Sequence, residues 1–157
     1  MIFKTKVEIV PKKSMIEGEL IIKSLDKQGN TFIYKTPNVI VYDAKATMAY
    51  LLSGDSSALL SLGYLGVGEN NTAPTRADTA LLSSVTQVAF TAHTYPAAGQ
   101  VEYTAILDFV SPANGYILRE AGLFSNNGTT MFSRQVYGDI EKTASSQLQY
   151  IWRIIFT

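Results

Sequence analysis

The sequence predicts a mainly β fold: an antiparallel β-sandwich, of jelly-roll or immunoglobulin-like type, with one short α-helix. Three observations carry this. Apolar runs rich in Ile, Leu, Phe, Tyr and Trp are broken by short clusters of Gly, Asn, Ser and Thr, which is strand and turn punctuation. Within several runs apolar and polar side chains alternate with the two-residue period of a half-buried strand. Only the stretch after Asp43 shows clear helical spacing.

Phe3 to Val10 alternates loosely before Pro11-Lys12-Lys13, which predicts a strand suited to a sheet edge. ELIIKSLD and TFIYKT flank Lys27-Gln28-Gly29-Asn30, a hairpin signal. Thr36-Pro37-Asn38 sets residues 1–37 apart as an N-terminal strand and hairpin extension of a single sandwich domain over residues 1–157. Asp43 then fits a helix N-cap, Ala44, Met48, Leu51 and Leu52 follow the i, i+4, i+7, i+8 spacing of one face, and Gly54 fits the left-handed position behind the helix. Such a helix would plug one end of the sandwich.

Ser61 to Gly68 reads as a strand, followed by an Asn-Pro loop and a helical turn over Ala77 to Leu82. Gly66-x-Gly68 lacks the third glycine of a dinucleotide motif and any Gly-Lys-Ser/Thr, so it reads as glycines that let backbone pack closely at a strand end. A strand is expected around Gln87 to Thr94. Another follows over Val101 to Val110, with Val101, Tyr103, Ala105, Leu107 and Phe109 on one face. Beyond a third near Ile117 to Leu123, Asn127-Gly128 can supply the positive φ angles of a tight hairpin turn. The closing run places Leu148, Tyr150, Trp152, Ile154 and Phe156 on a core face. Its other face carries Ile151 and Ile155 beside Gln147, Gln149 and Arg153, more apolar than a strand open to water favours. Ile151 and Ile155 are therefore candidate interface residues, and Trp152, mid-strand in the most apolar segment, is a candidate for the core or an interface rather than a ligand platform.

The chain has 157 residues, enough for one domain that buries roughly 68–70% of its unfolded surface. Absence of Cys removes disulfides, thiolate metal sites and cysteine nucleophiles. Thirteen basic residues balance thirteen acidic ones, so no net field favours nucleic acid or an anionic membrane. No apolar h-region or run of about 18 apolar residues appears, so a soluble product without a cleavable signal is expected. Charged residues make up 17% of the chain against about 25% in an ordinary domain. That deficit points to subunit contacts; a homo-oligomer of three or more copies is the expected assembly, which composition alone does not fix.

Acid/base or hydrolytic chemistry needs a nucleophile, a base and an orienting group within reach of one another. The one histidine, His93, lies beside a turn, and the acidic residues are spread singly. No catalytic residue, cofactor or metal ligand is assigned, and an enzymatic reading would rest on His93. Arg119 and Glu120 stand inside an apolar strand as candidate ion-pair residues, with Arg134 or Lys142 as a neighbouring-strand partner for Glu120. A solvated strand face is the alternative. Asn70, Asn71, Asn126 and Asn127 are candidate loop contacts to a carbohydrate.

Four motifs occur in order: Asn38-Val39-Ile40-Val41 entering a helix that ends Leu51-Leu52-Ser53-Gly54; Gly66-Val67-Gly68 with Asp78-Thr79-Ala80-Leu81 ten residues on; Arg119-Glu120-Ala121-Gly122-Leu123-Phe124; and Lys142-Thr143 before the final strand. In this order they resemble a domain of tailed-bacteriophage structural proteins of the tail-fibre, tail-collar-fibre and baseplate type. The resemblance spans about three quarters of the chain. It implies a non-enzymatic virion component, assembled in the host cytoplasm, whose partners are copies of itself and other virion structural proteins. No repeat shaft or receptor-binding tip is seen, which suits an adaptor, collar or baseplate subunit. Alternatives under the same resemblance are a capsid-decoration or head-fibre protein, and a carbohydrate-binding host-recognition module.

Overall fold

The computed structural model describes residues 15–54 and 61–157. The strand expected over Phe3 to Val10 lies outside them. The described chain forms β1 (Ile16–Asp26), β2 (Thr31–Pro37), β3 (Val39–Ile40), α1 (Tyr42–Leu52), β4 (Leu62–Gly68), β5 (Ser84–Ala89), β6 (Ala92–Thr94), β7 (Gln100–Leu107), β8 (Ile117–Ser125), β9 (Met131–Glu141) and β10 (Ser146–Phe156). These make two five-stranded sheets, ordered β2-β1-β10-β7-β6 and β3-β9-β8-β4-β5, with neighbouring strands antiparallel. The expected antiparallel β-sandwich with one short helix is the observed architecture.

Alternation builds the core as anticipated for the closing strand. Leu148, Tyr150, Trp152 and Ile154 are buried, while Phe156, the last residue of β10, is half exposed. Leu20 and Ile22 of β1 and Ala105 and Leu107 of β7 join them in the core cluster, with Leu65, Val67, Ala121 and Leu123 of the second sheet. Tyr137 of β9 meets Tyr150 of β10 across the interior, hydroxyl to hydroxyl at 2.9 Å. Tyr137 donates to the Glu120 carbonyl at 3.1 Å, which leaves Tyr150 to donate to Tyr137. Each buried hydroxyl therefore has a partner, as a polar group out of water requires. Burial raises both phenol pKa values.

The β1–β2 hairpin forms at the expected turn. Gly29 takes φ +87°, its N–H bonds the Asp26 carbonyl at 3.1 Å, and the Asp26 carboxylate accepts from the Gln28 and Asn30 backbone. β1 then pairs with β10 from Ile16↔Phe156 to Asp26↔Ser146, so this hairpin sits inside the first sheet.

Several expectations change in detail. The run expected as one strand over Gln87 to Thr94 is split: β5 belongs to the second sheet and β6 to the first. The chain crosses between them at Phe90 and Thr91, whose N–H groups bond Gly63 O and Thr104 O. Alternation marks extended backbone and does not say which sheet it joins. Residues 77–82 form no helix; a single turn over residues 75–78, in which Asp78 N bonds Thr75 O at 3.3 Å, leads into them.

The N-cap of α1 is Val41, and Asp43 sits in the first turn without a capping bond. Val41 N bonds Phe132 O and Tyr42 N bonds Arg76 O, so neighbouring backbone serves N–H groups at the start of the helix. Gly54 does take the left-handed conformation, at φ +81°. Of the predicted helix face only Ala44 is buried, while Leu51 and Leu52 are exposed. In the β8–β9 turn only Gly128 has positive φ, because its N–H closes the turn on Ser125 O and one left-handed residue suffices. Among the described residues, no helix is long and apolar enough to cross a membrane.

Candidate functional site

β8 is buried on both faces: Leu118 and every residue from Glu120 to Ser125 lie out of solvent. One face looks into the sandwich. The other is covered by residues 69–83, the strap that joins β4 to β5. Glycines let it approach. Gly66 and Gly122 are cross-strand partners, and a Cβ on either would lie 2.7 or 2.8 Å from Phe124 Cε2 and 3.0 Å from Leu81. A Cβ on Gly68 would lie 2.3 Å from Ser83 O and 2.6 Å from Glu120 Oε1. The close-packing reading of Gly66-x-Gly68 matches this geometry.

A buried charge cluster fastens the strap. Arg134 Nε donates to Glu120 Oε2 at 2.8 Å, and neither side chain is exposed. Arg134 Nη1 reaches Asp78 at 2.9 Å and Nη2 reaches Thr72 O at 3.1 Å, both on the strap. Glu120 also accepts from Leu82 N at 3.2 Å and Ser83 N at 2.7 Å. Burial pushes the Asp78 carboxyl up, but hydrogen bonds from Thr75 and the Arg134 guanidinium outweigh it, and its pKa lies below the usual value.

The buried-pair alternative for Glu120 is therefore the one found, with Arg134 as partner. Arg119 is not part of it. At a register shift between Leu118 and Glu120, Arg119 pairs instead with Asp139 at 2.8 Å, and its Nη1 reaches Glu69 O at the start of the strap at 3.4 Å. Lys142, the other candidate partner, is buried elsewhere and gives its three protons to Asn114 Oδ1, Thr143 O and Ser146 O at 2.6, 2.8 and 2.9 Å. That ammonium is a saturated turn clamp. Sequence reasoning missed Asp78, whose one local sign is Thr75 three residues earlier.

The outward face of the first sheet holds the apolar candidates. Register places Ile151 between Ile21 and Thr104, with Ile33, Lys23, Gln149 and Ile106 in the row beside it. Ile155 lies between Glu17 and Gln100. Arg153 bridges Glu102 at 2.8 Å and Glu19 at 3.0 Å, and Lys35 joins Glu19 at 2.8 Å. Ile21, Ile106, Ile151 and Ile155 are half-buried by these neighbours. No described helix or strand makes a substantial contact over this face. Trp152 must be removed from the interface set: flanked by Ile151 and Arg153 on the outward side, it points inward and is fully buried.

The four asparagines do not converge. Asn70 and Asn71 follow the C-terminal end of β4, whereas Asn126 N bonds Ser61 O beside its N-terminal end. A strand of seven residues separates the pairs by roughly 20 Å. Asn70 Oδ1 accepts from Thr72 N, and Asn127 Oδ1 from Ser125 Oγ and Thr129, so both are occupied within their own turns.

His93 is exposed on the edge strand β6 among other rings. Its centroid lies 6.2 Å from Tyr103 and 5.8 Å from Tyr95, while Phe90 lies 5.1 Å from Tyr103. Among the described residues, no three His, Asp or Glu side chains gather as a metal site. No protein-family model matches the chain, and no curated protein or solved structure matches it.

Proposed function

We propose that this chain is a non-enzymatic structural component of a bacteriophage virion, a tail, collar or baseplate fibre-type or adaptor subunit that acts by self-association and docking. The outward face of the first sheet is the observation that carries the reading. Ile21 and Ile151 stand side by side at its middle, Ile33, Ile106 and Ile155 lie in the rows around them, and Glu19, Glu102, Arg153 and Lys35 already satisfy one another within the face. A second copy lying over it would meet these four charges already paired, with Lys23 and Glu17 of the same face left to be matched across the interface.

Four strands about 4.8 Å apart and some seven residues long offer roughly 400–500 Å² per partner, about half of the ~800 Å² per partner of a standard specific interface. One such contact is weak, and an array of identical contacts holds. The motif residues also support a structural role: Gly66, Gly68, Asp78, Leu81, Glu120 and Gly122 all serve the strap and its charge cluster.

The test is sedimentation velocity across concentration, joined to binding of the purified protein to phage particles. Concentration-dependent oligomers that decorate particles are expected. A chain that stays monomeric when concentrated and ignores particles overturns the reading. Cryo-EM of the decorated particle separates a tail, collar or baseplate position from a capsid-decorating one.

A further inference from the structure

We infer that Lys142 and Asn114 join covalently, the lysine Nζ displacing ammonia from the asparagine side-chain amide to leave an isopeptide cross-link within the chain. This does not rest on the virion reading. The Lys142 side chain is fully buried, and its Nζ lies 2.6 Å from Asn114 Oδ1, the shortest of its three hydrogen bonds. Backbone keeps the two residues together: Gly115 N bonds Lys142 O at 2.8 Å, and Lys142 N bonds Tyr116 O at 3.0 Å. Asn114 Nδ2 donates to Phe109 O at 2.8 Å, which turns the amide so that its carbonyl faces the lysine. Thr143 O and Ser146 O hold Nζ from its other sides, so the clamp described above is the arrangement from which the bond forms. Groups fixed in this way react as if at a very high local concentration.

A lysine amine is a nucleophile once it is neutral, and a site poor in water favours the neutral form. Burial lowers the Lys142 pKa against the pull of the Asp108 carboxylate. The proton that Nζ gives to Asn114 is the one whose loss leaves a lone pair facing that amide. Asp108 is the carboxylate whose charge reaches Nζ, so it takes this proton and returns it to Nδ2. A bond forms between Nζ and Cγ, the Cγ–Nδ2 bond breaks, and Nδ2 leaves as ammonia that carries off the proton. An ammonium and a primary amide become a secondary amide and free ammonium, with no oxidation and no co-reactant. Asp108 and Gly115 are exposed beside the site, which gives the ammonia a way out. The chain has no Cys, and this bond ties residue 114 to residue 142 around the β8–β9 hairpin as a disulfide would, by restricting the unfolded chain.

Intact-mass spectrometry of the full chain reads the reaction. The native protein is expected to weigh less than its sequence requires, with or without Met1, by one ammonia, about 17 Da. A digest is expected to yield a branched peptide joining Asn114 to Lys142. Lys142→Arg and Asn114→Ala are expected to weigh what their sequences require, and the native mass and digest stand whether or not these variants fold. A native mass equal to that of the sequence overturns the proposal. So does ammonia lost as a succinimide at Asn114-Gly115 or Asn127-Gly128 without the branched peptide. Asp108→Ala is expected to leave most of the chain without the cross-link, and full cross-linking in that variant overturns the proton route.

Discussion

Arg134 Nε and Glu120 Oε2 stand 2.8 Å apart on adjacent strands with neither side chain reaching solvent. Removing the arginine leaves a buried carboxylate with only the strap N–H groups of Leu82 and Ser83 for company. Arg134→Met is expected to destabilise the fold by about 3–5 kcal/mol. Adding Glu120→Gln should recover part of that loss, by on the order of 0.5–3 kcal/mol. Urea denaturation of both variants checks this, and a single variant within about 1 kcal/mol of native contradicts a buried, mutually dependent pair.

Gly122 has no room for a side chain: Phe124, Leu81 and Met131 all lie within 3.2 Å of the point a methyl carbon would occupy. Gly122→Ala is expected to destabilise by about 1–3 kcal/mol through overpacking. Gly138 on β9 meets nothing within 4 Å, so Gly138→Ala serves as the control. It should shift the denaturation midpoint little, or upward.

The carboxyls of Asp78, Asp26 and Asp139 all lie below their ordinary range. As pH falls, the unfolded chain takes up these protons near pH 4 while the native chain does not yet do so. Their contribution to stability is therefore complete above about pH 4 and declines as pH drops through the lowered native values. Asp78→Asn should flatten that acid limb relative to the native protein. Thermal melts from pH 6 to pH 2 read it directly, and an unchanged acid slope would discount the Arg134 bridge.

Ile151 lies on the outward face, half-buried by side-by-side neighbours. Ile151→Glu is expected to abolish concentration-dependent association while lowering stability by no more than about 1–2 kcal/mol. Sedimentation velocity with a parallel denaturation curve separates the two effects. Association that survives the substitution would move the contact to another surface.

Much of this molecule is legible in its sequence. The β10 core face and the β1–β2 turn follow from side-chain alternation and from one glycine that must adopt positive φ. Glu120 stands out because a carboxylate in an apolar strand needs a partner, and Arg134 is one of two cations the neighbouring strand offers. What alternation does not give is assignment to a sheet, so the β5–β6 run reads as a single strand. Nor does it give the strap, because Asp78, Thr72 and Ser83 form no periodic pattern and acquire meaning only when laid across β8. Asp43 is no cap for a similar reason: N–H groups at the helix start are met by Phe132 and Arg76, distant in the chain. Arg119 and Glu120 look like neighbours in sequence, yet they take different partners.

The pairing of β1 with β10 along their whole lengths, from Ile16↔Phe156 to Asp26↔Ser146, dictates the order of assembly. The β8–β9 hairpin can close as soon as its own residues leave the ribosome, but β1 must wait for almost every later residue to be synthesised. Such non-local pairing makes for a slow final folding step. Until it is complete, the inner edges of β1 and β7 are open to strands of other nascent chains. A refolding experiment should therefore show the amides of the β8–β9 hairpin, and those of β1 that face β2, protected early and the β1 amides that face β10 late.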